Sequence, residues 1–290
     1  MTENYVQRFL LVDLDIRGAV VRLGSVWQQL LTKRDYPQPV IQLLGQMSVT
    51  TLLLADNLKQ PGRLTIQLRG NGPVSLLVID CNEALNIRCM AQHENDAGIK
   101  DAALIDLLGQ GQLLLSLDRP SMREPYKSIV PITGHSIAEI FEHYLGQSEQ
   151  LVSRFFLAAT PSGAAGIFLQ KMPHADARDA DGWTRIEALA STAKPEELLE
   201  LPAADLLTRL FHEEAVRIFA ARTVTGNSPE HREKIGNMLL TLGREEVYSV
   251  LKERGEIVAR DDLSNREYRF DKADIDKLFS NTPATPPSVH

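Results

Sequence analysis

Cysteine and histidine are the side chains of this 290-residue chain best suited to nucleophilic, redox or metal chemistry, so their spacing comes first. There are two cysteines, Cys81 and Cys89, and seven histidines, at positions 93, 135, 143, 174, 212, 231 and 290. The C-x7-C spacing matches no common zinc pair, and two thiolates alone leave a tetrahedral site incomplete. Nor can two cysteines form a disulfide framework in a chain this long, so both are expected to be unreactive residues of strands or loops. His212-Glu213-Glu214-Ala215-Val216 starts like a metalloprotease H-E-x-x-H helix but lacks the second histidine. His135 follows Gly134 at the start of a helical pattern and reads as an exposed neighbour of its cap. His143 shares that helix with polar Glu142 and reads as part of a solvated face. There is no G-x-S-x-G elbow and no Walker loop. The RGNGP segment at 69–73 has the composition of a phosphate cradle, but no helix follows it, so it reads as a hairpin turn. No nucleophile, base and orienting group converge, and an enzyme is not expected.

Composition sets the background for these residues. Hydrophobic content of 43% is ample for a core, which excludes whole-chain disorder. Thirty-one basic against 38 acidic residues give a formal charge of −7, poorly suited to binding nucleic acid by phosphate neutralisation. The longest apolar run, VTTLLLA at 49–55, is far short of the ~20 residues of a membrane helix. The first residues lack a basic segment leading into a long apolar one. A cytoplasmic protein with no membrane and no nucleic-acid partner is the expectation.

The elements follow from period. Residues 26–32 suit a helix, which Pro37 and Pro39 interrupt. Residues 40–58 are apolar on most sides, the pattern of a central buried helix. LTIQL (64–68) and VSLLVI (74–79) alternate as two strands, with Asn71-Gly72 expected to supply the positive φ values of a tight turn. Residues 111–117 and 126–132 read as strands, HSIAEIFEHYL as a helix, and LVSRFFLAA with AAGIFLQKM as another hairpin. Three short helices are expected over 183–219, with a linker over 220–231. Residues 231–280 show a helical face (Ile235, Met238, Leu239, Leu242), a second helix around Val247, Val250 and Leu251, a hairpin (EIVAR and EYRF) and a last helix.

The predicted class is therefore α+β: an N-terminal antiparallel sheet packed with helices (1–176), a helical middle or linker region (177–230), and a small helix/β-hairpin C-terminal domain (231–280). A Pro-rich tail (281–290) is expected to be disordered. In the middle region Leu198, Leu199, Leu201, Leu206, Leu207, Leu210 and Phe211 form a dense stripe on an acidic background. Two readings stay open: ordinary packing on the sheet, or apolar surface hidden in one state and exposed in another.

In order and spacing these segments resemble the heat shock protein 33 family of redox-regulated holdase chaperones. The resemblance is carried by RDYPQPV (34–40), LTIQLRGNGPVSLLVI (64–79), YLGQSEQLVSRFF (144–156), AAGIFLQKMP (164–173), LLTRLFHEE (206–214), GEIVAR (255–260) and YRFDKADIDKLF (268–279). It implies an ATP-independent holdase that binds unfolding client proteins, and a homodimer formed by exchange of elements between N-terminal domains. The seven-residue stripe is then the candidate client-binding surface. An adaptor for one dedicated protein partner is the alternative use of the same fold.

The family's signature is a C-x-C and a C-x-x-C that together hold one zinc. Here the corresponding positions are Ser228 and Glu230, then Asp261 and Ser264. Thiolate ligation is impossible, and Glu230, His231 and Asp261 would suit only harder ions, so neither zinc nor another cofactor is expected. Structural zinc contributes on the order of 10 kcal/mol to folding a small domain. Without it, residues 231–280 must either fold on their 19 apolar residues or remain loose at rest. The retained apolar periodicity favours folding, with heat or another unfolding stress as the trigger.

Overall fold

Residues 3–58, 60–94, 99, 104–148, 150–226, 230–263 and 265–280 are described by a computed structural model. The chain divides into two compact units, 1–226 and 227–290.

The first unit opens with a hairpin, β1 (Tyr5–Leu11) and β2 (Ile16–Leu23), then α1 (Ser25–Leu31) and the long α2 (Gln38–Asp56). Next come β3 (Arg63–Gly70), β4 (Val74–Cys81), β5 (Ile87–His93), α3 (Leu104–Leu108), β6 (Gly111–Asp118) and β7 (Tyr126–Pro131). After α4 (Ile137–Ser148) the chain forms β8 (Ser153–Thr160) and β9 (Gly163–Lys171). Four short helices follow: α5 (Ala175–Arg178), α6 (Gly182–Ser191), α7 (Pro195–Glu200) and α8 (Ala203–Leu210). The unit ends with β10 (Val216–Ile218) and β11 (Arg222–Thr223).

These strands build two antiparallel sheets. The first has the order β10-β1-β2-β9-β8, with β11 also on β1, and the second has the order β5-β4-β3-β6-β7. Helix α2 packs against strands of both. It starts where Pro37 and Pro39 cost nothing, in the first turn, whose N–H groups have no intrahelical partner. Its buried hydroxyls bond back along the helix, Ser48 to the Leu44 carbonyl (2.7 Å) and Thr51 to that of Met47 (2.8 Å). Gly45 lets the helix approach β8, since a Cβ there would lie 2.5 Å from that of Ala159.

The first sheet is covered on both faces. One face joins α2, α4 and the second sheet in the main core; the other is covered by α5–α8. That explains why eight of the nine residues of β9 are buried, whereas β3 alternates between buried and partly exposed.

Several expectations change. Neither Asn71 nor Gly72 takes a positive φ. The turn leans instead on the chain before β6: Asn71 N–H donates to the Gln110 carbonyl (3.1 Å) and Gly72 N–H to that of Leu108 (3.1 Å). A Cβ on Gly72 would meet the Leu107 carbonyl at 2.6 Å, so glycine is needed for close approach. Helical structure in the middle region stops at Leu210, and Val216–Ile218 forms a strand on the edge of β1. The expected linker is docked from its start through Thr225, with Val224 buried. Strands β1, β2 and β5 went unread in the sequence, and the tail 281–290 lies outside the described residues.

The second unit comprises α9 (Glu230–Leu242), α10 (Arg244–Arg254), the hairpin β12 (Ile257–Asp261) and β13 (Arg266–Phe270), and α11 (Lys272–Ser280). Leu239, Val247, Leu251, Ile257, Phe270 and Ile275 form its core. Met238 and Leu242, expected on the apolar face, are exposed because the packed side of α9 is centred on Ile235 and Leu239.

Candidate functional site

The seven-residue stripe lies on α7, α8 and the turns that follow them. Leu198, Leu206, Leu207, Leu210 and Phe211 are all buried, none more than 4% exposed, and Leu199 and Leu201 pack partly buried against the same cluster. In this fold the stripe is therefore not an open patch. Its residues face Tyr5, Phe9, Leu11, Ile167 and Leu169 of the first sheet, with the Phe211 and Phe9 rings 6.1 Å apart. The Ala203 N–H donates to the Tyr5 hydroxyl at 3.0 Å, which fixes the start of α8 on the strand.

Amphipathic spacing dictates this placement: Ala203, Leu206, Leu207 and Leu210 turn inward while Asp205 and Arg209 face out. The outer side is joined by ion pairs, Arg209–Glu197 (2.7 Å), Arg154–Glu187 (2.5 Å), and Arg185 with Asp179 and Glu214 (2.9 Å each). Hydrogen bonds from Arg185 hold the Asp179 carboxyl below its ordinary value. Hydrogen bonds to Glu214 and then to Asp179 raise the pKa of Arg185. Behind the sheet, desolvation raises the pKa of Glu142, although its Oε1 accepts the Phe155 N–H at 2.8 Å.

Helices of six and eight residues are too short to persist alone in water. The layer is helical because it is docked, and lifting it would uncover both its own stripe and the sheet beneath. What the arrangement can do chemically is offer apolar area; it contains no reacting group.

The candidate ligand positions do not form a thiolate site. Ser228 and Ser264 lie outside the described residues, as does the side chain of Glu230. The Asp261 carboxylate accepts the Leu263 N–H at 3.1 Å, closing the hairpin turn. Oxygen and hydroxyl groups at these four positions do not fit the soft tetrahedral chemistry of a zinc–sulfur centre. Among the described residues no three His, Cys, Asp or Glu side chains are grouped to hold a metal ion.

Both cysteines are buried and free, on neighbouring strands β4 and β5. Cys81 faces Ile87 and Cys89 faces Ile79, a diagonal relation. Diagonal neighbours stand about 7–8 Å apart, beyond the usual reach of a disulfide. Burial pushes the Cys89 thiol up to about 11 and raises that of Cys81 still further. Among the described residues the histidines do not converge either. His93 stacks edge-on to Tyr36, and the exposed His135 donates its backbone N–H to Glu139 as part of a helix cap.

Sequence reasoning missed a buried carboxylate, Asp56, at the end of α2, held between Arg8 of β1 and Arg222 of β11. The signal was present: one acid closing an otherwise apolar helix.

A family model described as Hsp33 protein matches residues 4–271. The chain is 40% identical over 285 residues to a protein named 33 kDa chaperonin from Methylobacillus flagellatus, covering 98% of this chain and 97% of that one. It is 41% identical over 276 residues to a protein of the same name from Chromobacterium violaceum, covering 94% and 93%. The fold is similar to the crystal structure of the 33 kDa chaperonin (heat shock protein 33 homolog) from Thermotoga maritima, with a TM-score of 0.74 at 22% identity, over 96% of this chain and 98% of that one.

Proposed function

The chain belongs to the Hsp33 family, and from that premise we propose that it is an ATP-independent holdase whose activity does not depend on thiol oxidation or zinc release. The observation that carries the reading is the docked layer. Short helices cover a continuous apolar sheet face, retained by packing, peripheral ion pairs and the bond from the Ala203 N–H to the Tyr5 hydroxyl. Warming that loosens the layer would expose several leucines and Phe211 together, a surface suited to unfolding polypeptides in the cytoplasm. The chain's net negative charge would keep a loaded complex soluble.

Redox control has no chemistry to use here. The four family positions carry Ser228, Glu230, Asp261 and Ser264, and the two remaining thiols are buried and protonated at neutral pH. Light scattering of a thermally denatured client tests this. Pre-warmed protein should suppress aggregation without nucleotide, equally with and without peroxide, and metal analysis should find no stoichiometric zinc. Suppression that appears only after peroxide sinks the redox-independent reading; no suppression under any condition sinks the holdase.

A homodimer is part of the proposal, and β7 supports it. Ile132 N–H donates to the Gly111 carbonyl. By antiparallel alternation the backbone groups of Lys127 and Ile129 therefore point away from β6, at the free edge of the sheet. Tyr126 and Ile129 are 51% and 61% exposed there. A twofold axis at Ser128 would pair Lys127 with Ile129 of a second copy. Sedimentation should show a dimer that Ile129→Lys weakens; a monomer at all concentrations removes this part.

A further inference from the structure

We propose that the Asp56–Arg222 ion pair is the catch that keeps the helical layer down, by fastening the strap of residues 216–225 that follows it; the functional side of this rests on the holdase reading above. Asp56 is the last residue of α2, where the helix dipole disfavours a negative charge, and its side chain is 1% exposed. A carboxylate in that position persists only when cations and donors satisfy it. Arg8 Nε meets Oδ2 and Arg222 Nη1 meets Oδ1, each at 2.5 Å, and Arg8 also donates to the Asp56 carbonyl. The other Arg222 nitrogen, Nη2, donates to the Glu83 carbonyl at 2.7 Å. One guanidinium thus ties β11 to the end of α2 and to the loop between β4 and β5.

Among the strap's described contacts, Arg222 makes the charged tie to α2; the rest are short ladders and single hydrogen bonds. β10 has three residues and β11 two, too few for their ladders to hold alone. Beyond the catch, Val224 is buried; Phe219 N–H donates to the Arg8 carbonyl and Val224 N–H to that of Asn4 (3.0 Å each). Gln7 Nε2 donates to the Phe219 carbonyl (3.0 Å). Thr225 N–H donates to the Leu85 carbonyl (3.1 Å), Ile87 N–H to that of Thr225 (2.8 Å), and Asn86 Nδ2 to the Thr225 hydroxyl (3.0 Å). At its other end the helical layer continues from β9, which is paired on both sides within the sheet. The layer can therefore open only from the strap side. Losing Arg222 would leave Asp56 Oδ1 without its cation, with Arg8 still on Oδ2, and would loosen the strap, after which α8 and Phe211 could lift.

The test uses the full chain with Arg222→Met, Arg222→Lys and, as a control on the same strap, Arg217→Met, whose guanidinium lies over the Phe219 ring. Hydrogen exchange of peptides across 203–225 and the temperature at which client protection begins are measured together. Arg222→Met should raise exchange there roughly tenfold, less than for a fully buried pair because Arg222 is 45% exposed and Arg8 stays on Asp56, while β3 and β4 stay protected. Onset of protection should fall by about 3–6 °C. Arg222→Lys keeps the charge but loses the two-pronged contact, so it should fall between Met and the parent. Exchange and onset in both Arg222 variants indistinguishable from Arg217→Met would overturn the catch. Raised exchange with no client protection by any protein at any temperature would uphold the catch and remove the holdase instead.

Discussion

Helix α2 of the 1–226 unit alone buries twelve residues between two sheets, whereas the described residues of the 227–290 unit contain six buried hydrophobic side chains in all. Charge is also used differently. In the first unit Asp56 and Asp80 are buried beneath arginines: Arg8 and Arg222 on one, Arg63 and Arg88 on the other. In the second, Arg232–Asp274, Arg269–Glu256 and Lys272–Asp276 lie at the surface, every partner at least 41% exposed. Buried pairs are little screened by salt but costly to break, while exposed pairs are worth about 0–1 kcal/mol each. The first unit is thus fixed by packing and buried charge, and the second is a small module near the size limit for unassisted folding, about 40–60 residues. On the proposed reading, a C-terminal unit with so small a core has little stability in reserve, which is what would couple it to temperature.

The contrast can be broken most sharply by deleting one aromatic ring in each unit. Phe211→Ala and Phe270→Ala should each cost about 3–5 kcal/mol, since both rings are buried. The consequences should differ. Phe270→Ala should leave residues 230–280 open to protease at ambient temperature with the main calorimetric transition unmoved, whereas Phe211→Ala should lower that transition and leave the C-terminal unit protected. Equal effects on both units would show that they unfold as one.

Alkaline pH gives the next largest effect, read on the first unit through its buried thiols. The folded Cys89 thiol titrates at about 11, against 9.0 for an ordinary thiol. Stability from keeping it protonated is complete below pH 9 and disappears as pH rises towards 11. The loss is up to about 3 kcal/mol. Denaturant unfolding at pH 8 and pH 10 should show the first unit weakening, and Cys89→Ala should reduce that dependence; an unchanged slope would remove the assignment.

Smallest is Arg232→Ala. Its guanidinium pairs with Asp274 at 2.8 Å and lies 4.5 Å from the centre of the Phe270 ring, joining the first turn of α9 to the start of α11. A loss of about 1 kcal/mol is expected at low salt. The loss should shrink in 0.5 M NaCl, where the Debye length falls from the ~10 Å of 0.1 M salt to roughly 4 Å. A salt-independent loss would mean that packing on Phe270, not charge, makes the link.

The sequence by itself determined the class, the hairpins of β3–β4, β8–β9 and β12–β13, the buried α2, and that no cysteine stands at 228, 230, 261 or 264. Each is a local property, written in a period of two or 3.6 residues or in side-chain chemistry. Strands β1 and β2 were less legible because YVQRFLL and IRGAVVRL are covered on both faces and show no clean alternation. Only the tertiary structure decided whether the leucine stripe of 198–211 faces solvent or sheet, because an amphipathic helix states that it has an apolar side without stating what covers it. The same holds for Asp56, Arg8 and Arg222, separated by up to 214 positions in sequence: a long-range ion pair leaves no local period, and only folding brings its members together.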